Sequence, residues 1–149
     1  MRIPEPFFAV INPAMRLTLR SPLHFMFSYN IMLIRYSGRK TGKHYEIPVR
    51  YIEDKGVVKC FTDKRSGWWP NLRDNDKVEL LLRGKSTPCH TSIVIDEPER
   101  LEQELKSYLN KMPADAVYHD VRLDHDRKPC AEDLANSALS TVMVIATRL

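Results

Sequence analysis

Apolar residues recur in short runs with the period of β-strands through most of the chain. The predicted strands are residues 31–36, 45–52, 57–62, 78–83, 91–95 and 141–147. In the second run, apolar positions alternate with Glu46, Pro48 and Arg50, so one face is apolar. Because Pro48 cannot donate a ladder hydrogen bond, this strand is expected at a sheet edge or a bulge. Residues 53–56 read as a hairpin turn.

Helical spacing marks the remaining elements. Leu101, Leu105 and Leu109, joined by Tyr108, form an apolar stripe, and Asp96 with Glu99 predicts a capping box at the start of that helix. Further helices are predicted at residues 68–73 and 131–139, and an N-terminal helical segment at 1–30. A run of strands followed by segregated helices predicts an α+β domain whose roughly six mostly antiparallel strands close into a small barrel.

Length and composition predict a single domain spanning residues 1–149. The 149 residues are 43% hydrophobic and contain no internal repeat or long linker. The 3 cysteines and 5 histidines lack the spacing of a disulfide framework or a metal site, so we expect neither. This cysteine usage favours a cytoplasmic protein. The longest uncharged run, residues 21–34, is too short to span a bilayer.

Charge is concentrated at the N-terminal end of the chain. The net charge is +4, yet residues 1–45 carry seven basic residues and one acid, Glu5, giving +6. Such a field predicts an anionic partner: a phosphorylated small molecule, a membrane surface or nucleic acid. The apolar residues 7–19, with Arg16 and Arg20, either cover the barrel or contact a membrane surface peripherally.

The basic turn, residues 37–43, contains two glycines, two hydroxyl side chains and three cations. Exposed amides, hydroxyls and cations together suit phosphate or carboxylate oxygens, although a solvated hairpin loop has the same composition. The pair Trp68 and Trp69 suggests a stacking surface or a core anchor, and at least one is expected to be an anchor. No side-chain nucleophile, acid or base stands out, so enzymatic chemistry would belong to a bound cofactor.

Two segments carry a resemblance. IRYSGRKTGKHYEIPVRY followed by WWPNLRDNDKVELLLRG resembles the deazaflavin-dependent nitroreductase and quinone reductase family, a branch of the pyridoxamine-phosphate-oxidase-like split β-barrels. The likeness is best over residues 21–84. It implies an FMN-binding-like split β-barrel, often dimeric, that holds the 8-hydroxy-5-deazaflavin coenzyme, as first choice, or FMN. The implied reaction passes a hydride from the reduced cofactor to a planar apolar acceptor such as a quinone.

The resemblance also implies a set of site residues and no catalytic side chain. The cofactor's anionic arm would meet Arg39, Lys40 and Thr41, and its ring would meet Pro48, Val49 and Arg50. Thr62, Lys64, Trp68 and Asn71 would complete the cofactor site, and Tyr118 would contact the substrate. The loop before the tryptophans, DKRSG, is shorter than in the family, and MPADAVYHD keeps one tyrosine of several. Nitroimidazole reduction is therefore not inherited.

Two other functions remain open from the sequence. The first is a non-catalytic split barrel that binds a flavin, a tetrapyrrole or a lipid-like ligand. The second, nucleic-acid binding, has only the basic charge in its favour, without aromatic side chains interleaved on a platform, so no nucleic-acid partner is expected.

Overall fold

A computed structural model describes residues 30–74 and 76–149 of the chain. The strands are β1 (Ile31–Ser37), β2 (His44–Arg50), β3 (Ile52–Asp54), β4 (Val57–Asp63), β5 (Lys77–Leu82), β6 (Lys85–Val94) and β7 (Thr141–Arg148). The helices are α1 (Asn71–Asp74), α2 (Pro98–Lys111) and α3 (Ala131–Ala138), with a 3₁₀ helix at Pro113–His119. The predicted N-terminal helical segment lies, except for Asn30, outside the described residues.

All described strands join one antiparallel sheet in the order β2-β1-β5-β6-β7-β4-β3. β2 and β3 lie at opposite edges although only Tyr51 separates them in the chain, and the sheet curls into a half-barrel that fits a split barrel. The Tyr51 N–H donates to the Asn30 carbonyl at 2.9 Å and so extends the pairing of β1 with β2 by one residue, whereas the next residue, Ile52, pairs with β4. The prediction of one strand over residues 45–52 is therefore wrong, and the described residues form seven strands instead of the predicted six.

The position of Pro48 and the first hairpin turn agree with the predictions from the sequence. Pro48 lies on edge strand β2, as predicted. Lys55 and Gly56 have φ of 51° and 79°, and Arg83 and Gly84 have 47° and 79°, so both two-residue turns use the left-handed region that tight hairpins require. The predicted hairpin at residues 53–56 is confirmed.

Two apolar clusters pack around the sheet. One contains Met32, Ile34 and Trp69 with residues of β4, β5 and β7, and the other packs Phe61 and Met143 against α2 and α3. The predicted stripe of α2 is confirmed, because Leu101, Leu105, Tyr108 and Leu109 are all buried. No helix within residues 30–74 or 76–149 has the length and apolar character needed to cross a bilayer.

The predicted capping box of α2 is wrong. The N-cap residue is Glu97, and no side chain caps the helix. Asp96 instead accepts from the Lys64 ammonium at 2.6 Å, so its carboxylate is used by a residue 32 positions earlier in the chain. A long-range ion pair has taken the group that the local pattern assigned to the helix start.

Candidate functional site

The basic turn has a defined backbone conformation. The Gly38 N–H donates to the Lys43 carbonyl at 2.7 Å, and the Gly42 N–H donates to the Gly38 carbonyl at 2.9 Å. Gly42 has φ of +71°, and a Cβ added to Gly38 would lie 3.0 Å from Cε2 of Tyr45. Both glycines are therefore required, one by conformation and one by the close approach of a ring.

The cations of this turn are available to a ligand. Arg39, Lys40 and Lys43 are exposed, and none forms an ion pair with a residue of the described chain. Lys43 places its ammonium 5.7 Å from the centroid of the Tyr45 ring. No carboxylate of the described residues neutralises this charge, so an anion approaching the turn meets the full attraction of at least Arg39 and Lys40.

Two backbone amides of the turn lie beside its cations without an acceptor in the described chain. The N–H groups of Gly38, Arg39, Gly42 and Lys43 all donate within the protein. Those of Lys40 and Thr41 find no acceptor in the part of the chain that the structure describes. Adjacent free amides beside two cations are the donors that phosphate or carboxylate oxygens need.

The two segments that carry the resemblance meet at this turn. The Arg39 N–H donates to Oδ1 of Asn71 at 2.9 Å, across 32 residues of sequence. The amide nitrogen of Asn71 donates to the carbonyls of Trp68 and Gly67 at 2.9 and 3.2 Å. Asn71, predicted as a cofactor contact, thus uses both N–H donors of its side-chain amide and one of the two lone pairs of Oδ1 inside the protein.

The tryptophan loop is anchored on the core. Trp69 is 5% exposed, donates its indole N–H to the Lys64 carbonyl at 3.2 Å, and carries the Arg73 guanidinium 4.8 Å from its ring centroid. Leu72 is buried beside it, and Trp68 packs half-buried against the same cluster. The prediction that at least one tryptophan anchors the core is confirmed by Trp69.

Thr62 and Lys64 are both engaged by protein groups. The Thr62 hydroxyl is buried and donates to the Ser66 hydroxyl at 2.9 Å, while the Lys64 ammonium pairs with Asp96. Between them, burial raises the pKa of Asp63, but hydrogen bonds from Arg65 outweigh it and hold that pKa below its usual value. To donate its hydroxyl proton to a cofactor, Thr62 would have to leave Ser66, whereas Lys64 has two further N–H donors beside the one that faces Asp96.

The three ring-contact residues predicted on β2 do not share one face. Val49 packs against the cluster around Met32, whereas Pro48 and Arg50 lie on the opposite face because side chains alternate along a strand. Pro48 is buried there, opposite Leu33 on β1. One ring lying against β2 can therefore contact either Val49 or the pair Pro48 and Arg50.

Arg50 joins the end of β2 to a buried polar cluster that the sequence did not indicate. Its Nε lies 3.3 Å from Oδ1 of Asp115, whose side chain is 3% exposed, while Arg50 is 37% exposed. The Tyr108 hydroxyl donates to the same carboxylate. Burial, reinforced by Asp115, raises the pKa of Tyr108 far above its usual value. The sequence did not single out Asp115, because an acidic residue in a segment with the composition of a turn is ordinarily on the surface.

His119 lies next to this cluster in an apolar setting. It is 3% exposed, its ring stands edge-on to Tyr108 and Phe61 at 5.8 and 6.3 Å, and its Nδ1 has no hydrogen-bond partner among residues 30–74 and 76–149. Burial lowers the pKa of His119 to about 4, so the imidazole is neutral near pH 7.

Tyr118 belongs to the same region. It is half-buried in the 3₁₀ helix, three residues after Asp115. Because residues three apart lie above one another in a 3₁₀ helix, Tyr118 shares the side that pairs with Arg50. Most of the predicted site residues thus fall into two groups: the turn with Asn71 and Trp68, and β2 with Tyr118, where Asp115 was not predicted. Thr62 and Lys64 lie apart from these groups, bonded to Ser66 and Asp96.

The similarity of this chain to known proteins is found among solved structures. No family model and no curated protein matches the chain. A solved F420-H2 dependent reductase is similar at 20% identity and a TM-score of 0.52, covering 78% of this chain and 94% of the reductase. An FAD-binding protein of Mesorhizobium loti is similar at 11% identity and 0.52, covering 92% and 88%. A domain-swapped dimer gives 19% and 0.55, covering 94% and 98%.

These similarities establish the fold. The covered shares mean that the likeness extends over most of each chain and is not confined to one motif. The chain has the fold of these proteins, and they support the resemblance that the two sequence segments carry.

Proposed function

We propose that this protein is a flavin- or deazaflavin-dependent reductase of the deazaflavin-dependent nitroreductase and quinone reductase family. The observation that carries the proposal is the hydrogen bond from Arg39 to Asn71, which joins the two segments of the resemblance. It does so at a turn where the side chains of Arg39 and Lys40 and the amides of Lys40 and Thr41 have no partner among the described residues. An anionic cofactor arm supplies the acceptors that these groups lack.

The similar structures support a cofactor of the flavin type. One is described as an F420-H2 dependent reductase and another as FAD-binding, and this chain shares their fold. The 8-hydroxy-5-deazaflavin coenzyme is our first choice and FMN the second, because either has an anionic arm for the turn. When bound, such a cofactor supplies the hydride, and the proposed acceptor is a planar apolar molecule such as a quinone.

In this proposal, the residues of the protein bind the cofactor and the acceptor and orient them. Arg39, Lys40 and Thr41 hold the anionic arm with side chains and with the amides of Lys40 and Thr41. Val49 or the pair Pro48 and Arg50 lies against the ring, and Trp68 contacts the cofactor next to the turn. Thr62 donates to the cofactor only if it leaves Ser66, and Lys64 contributes the N–H donors that do not face Asp96. Tyr118 faces the acceptor.

Two further properties stay predictions. We expect a homodimer, which the similarity to a domain-swapped dimer supports, and a cytoplasmic location. Peripheral membrane contact through the N-terminal segment concerns residues outside those described.

Titration of the purified protein with the deazaflavin coenzyme and with FMN, followed by cofactor fluorescence, tests the proposal. Binding of one cofactor below about 50 µM, with turnover of a quinone after reduction, is expected. Binding without turnover by any quinone would make the protein the non-catalytic binder. Absence of binding by either cofactor at that concentration overturns the proposed reductase and leaves only a binder of a tetrapyrrole or a lipid-like ligand.

A further inference from the structure

The basic turn is held to the rest of the described molecule by one hydrogen bond. Residues 38–43 otherwise bond only to each other, and their nearest packing partner, Tyr45, belongs to the same hairpin. Within the described chain, the Arg39 N–H to Asn71 bond is the only hydrogen bond from these six residues to another element. An exposed turn with two glycines would otherwise sample many conformations.

The orientation of the Asn71 amide is fixed by its surroundings. Its oxygen faces one N–H, of Arg39, and its nitrogen faces two carbonyls, of Gly67 and Trp68. The reverse orientation would set a nitrogen against an N–H donor and an oxygen against two acceptors. All three contacts therefore agree on one assignment of the amide atoms.

Asn71 itself stands on a rigid support. It begins α1 between Trp69, which is 5% exposed, and Leu72, which is 2% exposed, and both pack in the apolar cluster beneath. The Trp69 indole N–H is bonded to the Lys64 carbonyl. A short segment with two buried anchors loses little freedom on ligand binding, so its contacts can fix a neighbouring turn.

We propose that Asn71 is a positioning residue for the anionic arm of the cofactor, and not a cofactor contact as the resemblance implies. It holds the Arg39 backbone so that the guanidinium and the free amides of Lys40 and Thr41 are presented together. The inference rests on the proposed function of the turn. It follows from the hydrogen bonds that Asn71 already makes: both N–H donors of its amide are used in the protein, and the one remaining lone pair of Oδ1 can only accept, whereas an anionic arm also offers acceptors.

A double-mutant cycle separates positioning from contact. We expect Arg39→Ala and Asn71→Ala each to weaken binding of the deazaflavin coenzyme about tenfold, measured by fluorescence, with FMN as a second probe. If Asn71 acts through Arg39, adding Asn71→Ala to Arg39→Ala costs only about threefold more. A full further factor of ten in the double variant would mean that Asn71 contacts the ligand independently, and would overturn the inference.

Amide hydrogen exchange supplies a readout that needs no ligand. In Asn71→Ala the Arg39 N–H loses its acceptor, so its exchange should quicken about tenfold, while the Trp69 indole N–H keeps its protection. Asn110→Ala, at an exposed position on α2, is the matched control and should change neither exchange nor affinity. Unchanged exchange at Arg39 in Asn71→Ala would also overturn the inference.

The two proposals fail differently. If Arg39→Ala and Lys40→Ala weaken binding but Asn71→Ala does not, the anion site stands and the positioning role is wrong. If Asn71→Ala quickens Arg39 exchange but neither cation affects any cofactor, Asn71 orders the turn and the proposed function is wrong.

Discussion

The basic turn and the end of β2 use arginine in opposite ways. Arg39 is exposed and pairs with no described carboxylate, whereas Arg50 lies against the buried carboxylate of Asp115. A buried carboxylate needs a partner, so the Arg50 charge serves to keep Asp115 in place and to tie β2 to the 3₁₀ helix. The Arg39 charge has no such duty and stays available to a ligand. Stability and ligand binding should therefore depend on different arginines.

The largest expected effect is on stability, at the β2 end. Arg50→Ala leaves Asp115 with the Tyr108 hydroxyl as its partner among the described residues, and should lower the free energy of unfolding by about 3 kcal/mol, because a carboxylate that is 3% exposed loses its cation. Urea denaturation measures the loss. Arg100→Ala removes an exposed arginine that pairs with Glu97 at 3.6 Å and should cost less than about 0.5 kcal/mol. Equal losses in the two variants would show that Arg50 contributes no more to stability than an exposed arginine, which contradicts this account.

The next effect is on binding, at the turn. Arg39→Ala combined with Lys40→Ala should weaken the deazaflavin coenzyme about 100-fold, since two charge-assisted contacts are lost. The free energy of unfolding should change by less than about 0.5 kcal/mol, because neither side chain is buried. Lys85→Ala with Lys106→Ala removes the same charge from two exposed positions elsewhere and is the control. A similar loss of affinity in the control would mean that only net charge matters.

A third effect, on the pH dependence of stability, tests the buried region next to Arg50 and Asp115. The unfolded His119 takes up a proton near its ordinary pKa of 6.5, whereas the folded one does so only near about 4. Lowering the pH through this window therefore favours the unfolded chain, and stability should fall by roughly 2 kcal/mol between pH 7 and pH 4. His119→Asn should flatten that part of the curve. His125→Asn, at an exposed site, should leave it unchanged.

The smallest effect tests the backbone of the turn. Gly42→Ala adds no clash but puts an alanine at φ of +71°, which should cost about 1 kcal/mol of stability and a few-fold in cofactor affinity. Gly42→Asn should cost less, because asparagine tolerates the left-handed region better than alanine. Thermal unfolding and titration of both variants check the ranking, and an alanine variant as stable as wild type would show that the turn relaxes.

The sequence predicted what depends on local periodicity. The strands and the α2 stripe follow from spacing that burial then reinforces. The break at Tyr51 escaped notice because apolar residues keep alternating through it, while the change of pairing partner from β1 to β4 is a long-range event. Asp96 was misassigned for a similar reason, since Lys64 competes for it through space.

The candidate site, like the fold, has a part that the sequence predicts and a part that depends on long-range contacts. The basic turn could be found from composition, because glycines and cations are visible in any sequence. The Arg39 to Asn71 bond and the burial of Asp115 could not, since both depend on elements brought together by the fold. The resemblance names Asn71 as a cofactor contact, and the hydrogen bonds of its side chain are the basis for proposing a positioning role instead.

The central claim is that the basic turn recognises the anionic arm of a flavin-type cofactor. Its most direct test compares FMN with riboflavin, which has the same ring system without the phosphate, in wild type and in the Arg39→Ala, Lys40→Ala variant. The account predicts that wild type prefers FMN by about tenfold or more, and that the variant loses this preference while riboflavin affinity stays unchanged. An equal preference for FMN in both proteins would contradict it.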